Sequence, residues 1–319
     1  MFTIWRKSLC LLLFPTLLSP VMAIAEPQDA AASDPNTMGW MQGFPPADER
    51  IIGYPASDYF SFPKLRWTFC HFREIQATRR VGRGLGPISP FSEALDPAID
   101  DVTFTPIGGD TEMTWKASLD ANYTDGMLIL HRGEIVYEYY SGCLDREGRH
   151  GAMSVTKSFV GTIAEILITE GELDESKLVS DYVPELKQSA FGNATVREVM
   201  DMTTGLDYNE DYADPESDIW LYAAAGDPTP KPASYKGPRN FYQFLQGVEP
   251  EGIHGEAFIY KSINTDALAW VIARATGKDF IQHLSERIWK PLGMEQEADM
   301  MIDSLGTPFS AGGLNLSLR

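Results

Sequence analysis

The stretch that decides the fold is Ser154-Val155-Thr156-Lys157, which stands directly before an apolar-periodic run over residues 158–168. A helix turns about 100° per residue, so residues three apart lie on nearly the same face, one turn apart. The spacing predicts that the Ser154 hydroxyl lies at the start of a helix with the Lys157 amine directly above it. A serine hydroxyl needs an adjacent base before it acts as a nucleophile, and a lysine with a lowered pKa can be that base.

The same Ser-x-x-Lys pattern occurs a second time, at Ser61-Phe62-Pro63-Lys64. Proline disfavours helical backbone at the residue before it, and the residues after Lys64 show no clear amphipathic run. We therefore interpret the second copy as a chance occurrence. For the first copy, the alternative to a catalytic pair is a serine that caps a helix beside a solvated lysine.

The first 25 residues are predicted to be a secretory signal peptide rather than part of the fold. Arg6 and Lys7 form a basic start, residues 9–18 an apolar segment, and Ala23-Ile24-Ala25 a small-residue cleavage signal. The alternative is a membrane anchor, but the apolar run is shorter than a bilayer span requires. We expect an exported protein, periplasmic or secreted, that has no membrane attachment after cleavage.

Charge and composition exclude several classes of partner. The chain of 319 residues carries a formal net charge of −19, and such a surface repels nucleic acid and anionic lipid. After signal cleavage Cys70 and Cys143 remain, and whether they pair is open, because two distant cysteines say little about a disulfide. The five histidines lack metal-ligand spacing and no Cys-x-x-Cys motif is present, so we predict neither a metal nor another cofactor.

The mature chain divides into an irregular N-terminal arm, residues 26–118, and a catalytic domain, residues 119–319. The arm is rich in aromatic residues, Pro and Gly and has little periodicity. Residues 127–131 and 134–140 are predicted strands joined by a turn at Arg132-Gly133, and their partners must come from the arm or from beyond Arg319. The helices predicted from periodicity and caps cover residues 158–171, 195–202, 264–276 and 279–289. A long loop is predicted over residues 207–240.

A second chemical cluster lies at residues 258–264, just before a predicted helix. Tyr260 could complete the serine–lysine pair, because a phenol beside an ammonium group can pass its proton to a leaving group. Ser262 and Asn264 could donate hydrogen bonds to a substrate. The alternative is a half-buried core tyrosine followed by an N-cap asparagine. The presence of the Ser154 cluster in the same chain favours the catalytic interpretation.

With both clusters identified, the chain resembles the penicillin-recognising serine hydrolases, which include class C β-lactamases, D-alanyl-D-alanine carboxypeptidases and related esterases. Met153-Ser154-Val155-Thr156-Lys157-Ser158 matches the first motif and Tyr260-Lys261-Ser262 the second. Further similar stretches are residues 202–206, 264–277 and 291–294. The run Asp207-Tyr208-Asn209-Glu210-Asp211-Tyr212, together with Ser262, is most similar to the 6-aminohexanoate-dimer hydrolase (nylon oligomer hydrolase) branch.

The resemblance implies an α+β fold, in which an antiparallel sheet flanked by helices is paired with a mostly helical subdomain. It implies that Ser154 is the nucleophile, that Lys157 accepts its proton and that Tyr260 relays a proton to the leaving group. The backbone N–H of Ser154 would form half of an oxyanion hole. Tyr212 would lie on a mobile loop that closes over the substrate, whereas its alternative is an exposed loop aromatic. The implied partner is a small-molecule ester or amide.

Two departures from the family pattern limit this expectation. The third motif, Lys/His-x-Gly on a strand at the sheet edge, is missing, and the loss of one oxyanion donor costs about 10²–10³ in rate. We therefore expect a sheet without its C-terminal part, poor folding and little activity. In addition, Ala311 stands before Gly312-Gly313 where the 6-aminohexanoate-dimer hydrolases have Asn, which argues against specificity for amide oligomers.

Three functions follow, in decreasing order of support. The first is a serine hydrolase that cleaves small amides or esters. The second is a β-lactamase or a D-alanyl-D-alanine carboxypeptidase, which is less favoured because Ser262 replaces the Asn that lactam recognition uses. The third belongs to another class, a non-catalytic ligand sensor with the same fold, and the retention of Ser154, Lys157 and Tyr260 together argues against it.

Overall fold

A computed structural model describes residues 29–53 and 58–319, so the predicted signal peptide lies outside the described residues. The strands are β1 (Thr78–Val81), β2 (Ser92–Glu93), β3 (Thr103–Phe104), β4 (Met113–Thr114), β5 (Gly126–His131), β6 (Glu134–Tyr140), β7 (His150–Gly151), β8 (Ala298–Met301) and β9 (Leu314–Leu316). The α-helices are α1 (Pro35–Met38), α2 (Lys64–Ile75), α3 (Trp115–Ala121), α4 (Thr156–Thr169), α5 (Val179–Tyr182), α6 (Val196–Met200), α7 (Asp218–Gly226), α8 (Phe241–Gln246), α9 (Ile263–Thr276), α10 (Phe280–His283) and α11 (Lys290–Leu292). Tighter or wider turns are the 3₁₀ segments Asp48–Arg50, Pro97–Asp101, Met153–Val155 and Pro184–Leu186 and the π-helix Leu284–Trp289.

The strands form three sheets. The first has the order β1-β8-β9-β7 and is antiparallel throughout. In the second, with the order β2-β6-β5, the pair β5–β6 is antiparallel and β2 runs parallel to β6. The third is the short antiparallel pair β3–β4. The predicted α+β class with a mainly antiparallel sheet is therefore confirmed.

The predicted hairpin is present, with β5 and β6 joined at Arg132 and Gly133. These two residues have φ of 54° and 85°, so both adopt the left-handed backbone that a type I′ turn requires. On the other side of β6, Ser92 of β2 pairs with Glu134, so the arm supplies one of the missing partner strands. Within the described residues, β5 is the outer strand of this sheet.

Helix α9 is the centre of the main hydrophobic core. Ten consecutive residues from Ile263 to Ile272 are buried, and the helix contacts α4, α6, α5 and α8. A helix that is buried on all sides is expected to be apolar all round, but the first turn of α9 contains Asn264, Thr265 and Asp266. Because α9 packs on α4, it brings the residues just before it next to the Ser154 turn.

The prediction of an irregular arm is wrong for two of its segments. Residues Lys64–Ile75 form the 12-residue helix α2, and β1 adds an outer strand to the first sheet. Trp67 and Phe72 of α2 are buried, and packing against β7 and β8 fixes a segment whose local pattern is weak. A disulfide between Cys70 and Cys143 ties α2 to the loop after β6. The arm is therefore built into the body of the protein.

Helix α2 also corrects the reason given for dismissing the second Ser-x-x-Lys copy, because a helix does follow Lys64. The Lys64 amine is 2.6 Å from the Asp58 carboxylate. It is therefore engaged in an ion pair. The second copy has the sequence spacing of a catalytic pair without its geometry.

Other predicted boundaries are partly right. Helix α6 begins after Thr195, whose side chain and Glu198 form a capping box. The predicted loop over residues 207–240 contains helix α7, in which Ile219, Tyr222 and Ala225 are buried at helical spacing. The helix predicted over 279–289 continues through the π-helix into α11 and ends at Gly293. Among residues 29–53 and 58–319, no helix combines the length and hydropathy that a bilayer span needs.

Candidate active site

Ser154 and Lys157 meet at the start of α4. Ser154 lies in the 3₁₀ turn Met153–Val155 that leads directly into the helix. The Lys157 amine donates to Ser154 Oγ at 3.0 Å and to the carbonyl of Ala311 at 2.6 Å. The residue before the serine, Met153, has φ of 45°, a left-handed conformation that is uncommon for residues with a side chain and that clusters at functional sites.

Tyr260 joins this pair from a distant segment of the chain. The Lys157 amine lies 5.2 Å from the centroid of the Tyr260 ring, close enough for a cation–π interaction. Tyr260 precedes α9, and its side chain remains 43% exposed, so a substrate can reach it. The structure thus places the three predicted catalytic residues together.

A third segment closes the site beside the Ser154 turn. The backbone N–H of Ala152 donates to the Leu314 carbonyl at 2.8 Å, and the N–H of Leu314 donates to Thr156 Oγ1 at 3.2 Å. Between these contacts, a Cβ added to Gly312 would lie 3.8 Å from the Met153 carbonyl carbon and 3.1 Å from the Phe309 ring. The backbone of residues 311–314 therefore runs close to the nucleophile turn, with little room for a larger residue at 312.

Tyr212 and Ser262 are linked through a residue that the sequence did not single out, Glu210. The Tyr212 hydroxyl donates to the Glu210 carboxylate at 2.7 Å, and Ser262 donates to the same carboxylate from its N–H at 2.7 Å and from its hydroxyl at 2.6 Å. The Tyr212 ring also meets the Trp220 ring of α7 edge-on, with centroids 6.1 Å apart. Burial, followed by the hydrogen bond to Glu210, raises the pKa of Tyr212 above its ordinary value.

This arrangement changes the roles predicted for two residues. Ser262 is 4% exposed and its hydroxyl proton is committed to Glu210, so it acts on the site mainly by holding that carboxylate. Asn264 was predicted to bind substrate, and the structure contradicts this. Its side chain is fully buried, donates to the Lys261 carbonyl at 3.1 Å and accepts from Thr204 Oγ1 at 2.7 Å. As a member of the buried first turn of α9, it supports the segment that carries Tyr260.

Asp266 is a second buried polar group that sequence reasoning missed. It is 4% exposed, and it accepts hydrogen bonds from the Tyr222 hydroxyl and, at 2.8 Å, from the N–H of Ser310. Burial raises the pKa of Asp266 to about 7, against the opposing effects of its hydrogen bonds and of the Lys157 charge. An aspartate directly before the apolar residues 267–272 of a predicted helix was the available signal.

Comparison with known proteins identifies the family. The sequence profile of the beta-lactamase family matches residues 119–296. The chain belongs to the beta-lactamase family. A relative from Paenarthrobacter ureafaciens, named 6-aminohexanoate-dimer hydrolase, is 34% identical over 263 residues, which is 81% of this chain and 62% of the relative. A beta-lactamase from Providencia stuartii is 27% identical over 142 residues, 44% of this chain and 32% of that protein.

Membership of the beta-lactamase family is also visible in the fold. A solved structure from Bacillus anthracis, named as a candidate 6-aminohexanoate-dimer hydrolase, superimposes with a TM-score of 0.75 at 33% identity, covering 82% of this chain and 68% of that one. The resemblance to the 6-aminohexanoate-dimer hydrolase branch is thereby confirmed as a similarity of sequence and fold. The chain spans less than two thirds of the length of the two curated relatives named above.

Proposed function

We propose that this protein is a serine hydrolase that forms an acyl-enzyme on Ser154 and cleaves small amides or esters. The observation that carries the proposal is the 3.0 Å contact between the Lys157 amine and Ser154 Oγ, at the start of a helix and beside the exposed Tyr260. The name of the Paenarthrobacter relative, a hydrolase of an amide dimer, supports the substrate class.

The proposed reaction begins with attack of Ser154 Oγ on the substrate carbonyl carbon while Lys157 in its neutral form accepts the hydroxyl proton. The tetrahedral oxyanion receives a hydrogen bond from the Ser154 N–H, which lies before the first turn of α4 and has no helical partner of its own. Tyr260 then passes a proton to the leaving amine or alcohol as the carbon–leaving-group bond breaks, and it regains a proton from the Lys157 ammonium. Water adds to the acyl carbon and the acyl–Oγ bond breaks. One proton of the water passes to Ser154 Oγ, so the acid leaves and the hydroxyl is restored.

The decisive experiment compares purified wild type with Ser154→Ala on p-nitrophenyl butyrate. We expect the variant to hydrolyse the ester no faster than buffer does, because the substituted side chain has no hydroxyl to attack the carbonyl carbon. Ser158→Ala, which changes an exposed serine one turn further along α4, is the matched control and should retain wild-type turnover. Unchanged turnover in Ser154→Ala would refute the proposal.

The substrate class is resolved by a panel of compounds. We expect short-chain esters, which carry no charge, to be better substrates than a chromogenic cephalosporin, because the Glu210 carboxylate at the site repels the carboxylate that β-lactams carry. The 6-aminohexanoate dimer also carries a carboxylate, so its cleavage is measured separately. Preferential cleavage of the cephalosporin would assign the beta-lactamase activity instead. A burst of one equivalent of p-nitrophenol without later turnover would identify a ligand sensor.

We also propose that the protein is exported after removal of residues 1–25. The basic start, apolar segment and small-residue signal support this, and so does the Cys70–Cys143 disulfide, since such bonds persist in oxidising compartments. Expression of the full chain in a bacterium with an outer membrane, followed by N-terminal sequencing of the periplasmic fraction, should give Glu26 as the first residue. An unprocessed chain in the cytoplasm would contradict the proposal.

A further inference from the structure

The Lys157 amine donates a hydrogen bond to a chain segment, residues 310–311, that is itself fixed by a buried side chain. Lys157 donates at 2.6 Å to the carbonyl of Ala311. Ser310, the residue before Ala311, is fully buried, and its N–H donates at 2.8 Å to the Asp266 carboxylate. The N–H of Ala311 also donates a hydrogen bond to the same carboxylate. The two peptide units that aim a carbonyl at Lys157 are therefore fixed by one side chain from α9.

Asp266 is in turn fixed by α7. The Tyr222 hydroxyl donates to the second oxygen of the carboxylate, and Tyr222 is 1% exposed. The carboxylate thus accepts from donors on two separate segments, which fix its orientation and oppose the effect of burial on its pKa. A chain of contacts runs from Tyr222 through Asp266 and the 310–311 segment to Lys157.

We propose that Asp266 is a positioning residue for the proposed reaction: it fixes the Ser310–Ala311 segment, and through that segment and its own negative charge it holds the Lys157 amine in place. The inference rests on the proposed function only in that the proposed function makes Lys157 the base. Asp266 does not touch the reacting atoms, and it acts through the carbonyl of Ala311 and through its charge.

The charge effect has a definite sign. The groups that face Asp266 are the Lys157 ammonium from α4, the Tyr222 hydroxyl from α7 and Tyr208 from the segment before α7, while residues 310–311 contribute only N–H groups. Glu210 adds negative charge near Tyr208 and Tyr222. The Lys157 ammonium favours the carboxylate form of Asp266 and so lowers the pKa of that carboxyl. Removal of the ammonium must therefore raise the pKa of Asp266.

The first test needs no catalytic activity. Lys157→Met removes the ammonium and keeps the length of the side chain. We expect the pH at which the Asp266 carboxyl titrates, followed by ¹³Cγ NMR of aspartate-labelled protein, to rise by about one pH unit in this variant. The resonance is assigned by its absence from Asp266→Asn or by its displacement in Tyr222→Phe. An unchanged titration of Asp266 would overturn the proposed coupling.

The second test measures the pH dependence of kcat/KM for p-nitrophenyl butyrate in Asp266→Asn. This variant removes a negative charge beside the proposed catalytic groups, so we expect the acidic limb of the profile to move down by about one pH unit. Asp303→Asn is the matched control, since Asp303 is 2% exposed and accepts the N–H groups of Phe241, Leu305 and Thr307. In the Asp303→Asn control, the acidic limb of the kcat/KM profile should stay at its wild-type pH.

The outcomes separate the two proposals. A uniform fall in kcat with an unmoved acidic limb would reduce Asp266 to a packing role and overturn the inference. If wild type hydrolyses neither esters nor amides, the proposed function fails, while the NMR titration still decides whether Asp266 and Lys157 are coupled.

Discussion

At the scale of single residues, Glu210 holds the loop that carries Tyr212. Its carboxylate accepts from Tyr212 and from Ser262, and burial together with this contact raises the pKa of Tyr212. Glu210→Gln keeps an acceptor oxygen and removes the charge, so the pKa of Tyr212 should fall toward its ordinary value. Spectrophotometric tyrosinate titration checks this, with Tyr212→Phe identifying the contribution of that ring. An identical titration in Glu210→Gln and wild type would contradict the role of Glu210.

Asp266 also predicts how stability depends on pH. Its carboxyl pKa is raised from 3.8 to about 7, so the folded protein binds more protons than the unfolded chain between these values. The free energy of unfolding must therefore fall as pH rises through this window, by about 4 kcal/mol at about 1.4 kcal/mol per pKa unit. Urea unfolding at pH 5 and pH 8 should show a smaller difference for Asp266→Asn than for wild type. An equal difference in both proteins would refute this effect.

The sequence predicted the positions of the proposed reacting residues better than the residues that support them. Ser154 and Lys157 follow from helical spacing, and Tyr260 from its motif. Glu210 and Asp266 act through partners 52 and 44 residues away, at Ser262 and at Tyr222 and Ser310, and local pattern does not reveal which distant groups meet. Asn264 was misassigned for the same reason, because its burial depends on how α9 packs.

At the scale of elements, the β5–β6 turn offers a direct test of local backbone preference. Arg132 has φ of 54°, and Asn adopts this left-handed backbone more readily than Arg. Arg132→Asn should raise the free energy of unfolding by about 0.5 kcal/mol. Gly133→Ala should lower it by about 1 kcal/mol from backbone strain alone, because an added Cβ at Gly133 meets no atom within 4 Å. Urea denaturation measures both, and effects of the opposite sign would contradict the turn assignment.

The elements that the sequence missed are stabilised by tertiary packing. In helix α2 the apolar residues do not follow a regular helical spacing. Packing against β7 and β8 is what buries one side of the helix, which carries Arg66, Trp67, Thr68 and Phe72. Helix α7, nine residues long, lies between stretches dense in Asp, Pro and Gly. These residue types are typical of turns, so the whole region was predicted to be a loop. By contrast, α6 and α9 were predicted well because Thr195 caps the N-terminus of α6 and Gly277 caps the C-terminus of α9.

At the scale of the whole molecule, the Cys70–Cys143 disulfide joins the arm to the body across 73 residues of sequence. Closing a loop of this length in the unfolded chain is worth about 4 kcal/mol in the chain-entropy estimate. The double variant Cys70→Ala/Cys143→Ala should therefore lose a large part of the stability, measured by urea unfolding. Dithiothreitol should destabilise wild type to a similar extent and leave the double variant unaffected; stability unaffected by either change would show that the arm is held by packing alone.

The expectation of poor folding stays a prediction. It rested on a sheet that lacks its C-terminal part, and in the structure β2 of the arm pairs with one side of the β5–β6 hairpin. Cooperative unfolding and resistance to trypsin in residues 26–319 would contradict it. Non-cooperative unfolding would agree with the open outer side of β5.

The contact between Lys157 and the Ala311 carbonyl joins residues 154 positions apart, and Leu314 reaches back 158 positions to Thr156. Contacts so distant in sequence form late, because the loop between them must close first. During synthesis, a ribosome-bound chain that has exposed Ser154 and Lys157 still lacks the carbonyl that aims the amine. The proposed nucleophile would thus become active only after residues 311–314 have emerged and packed against the start of α4.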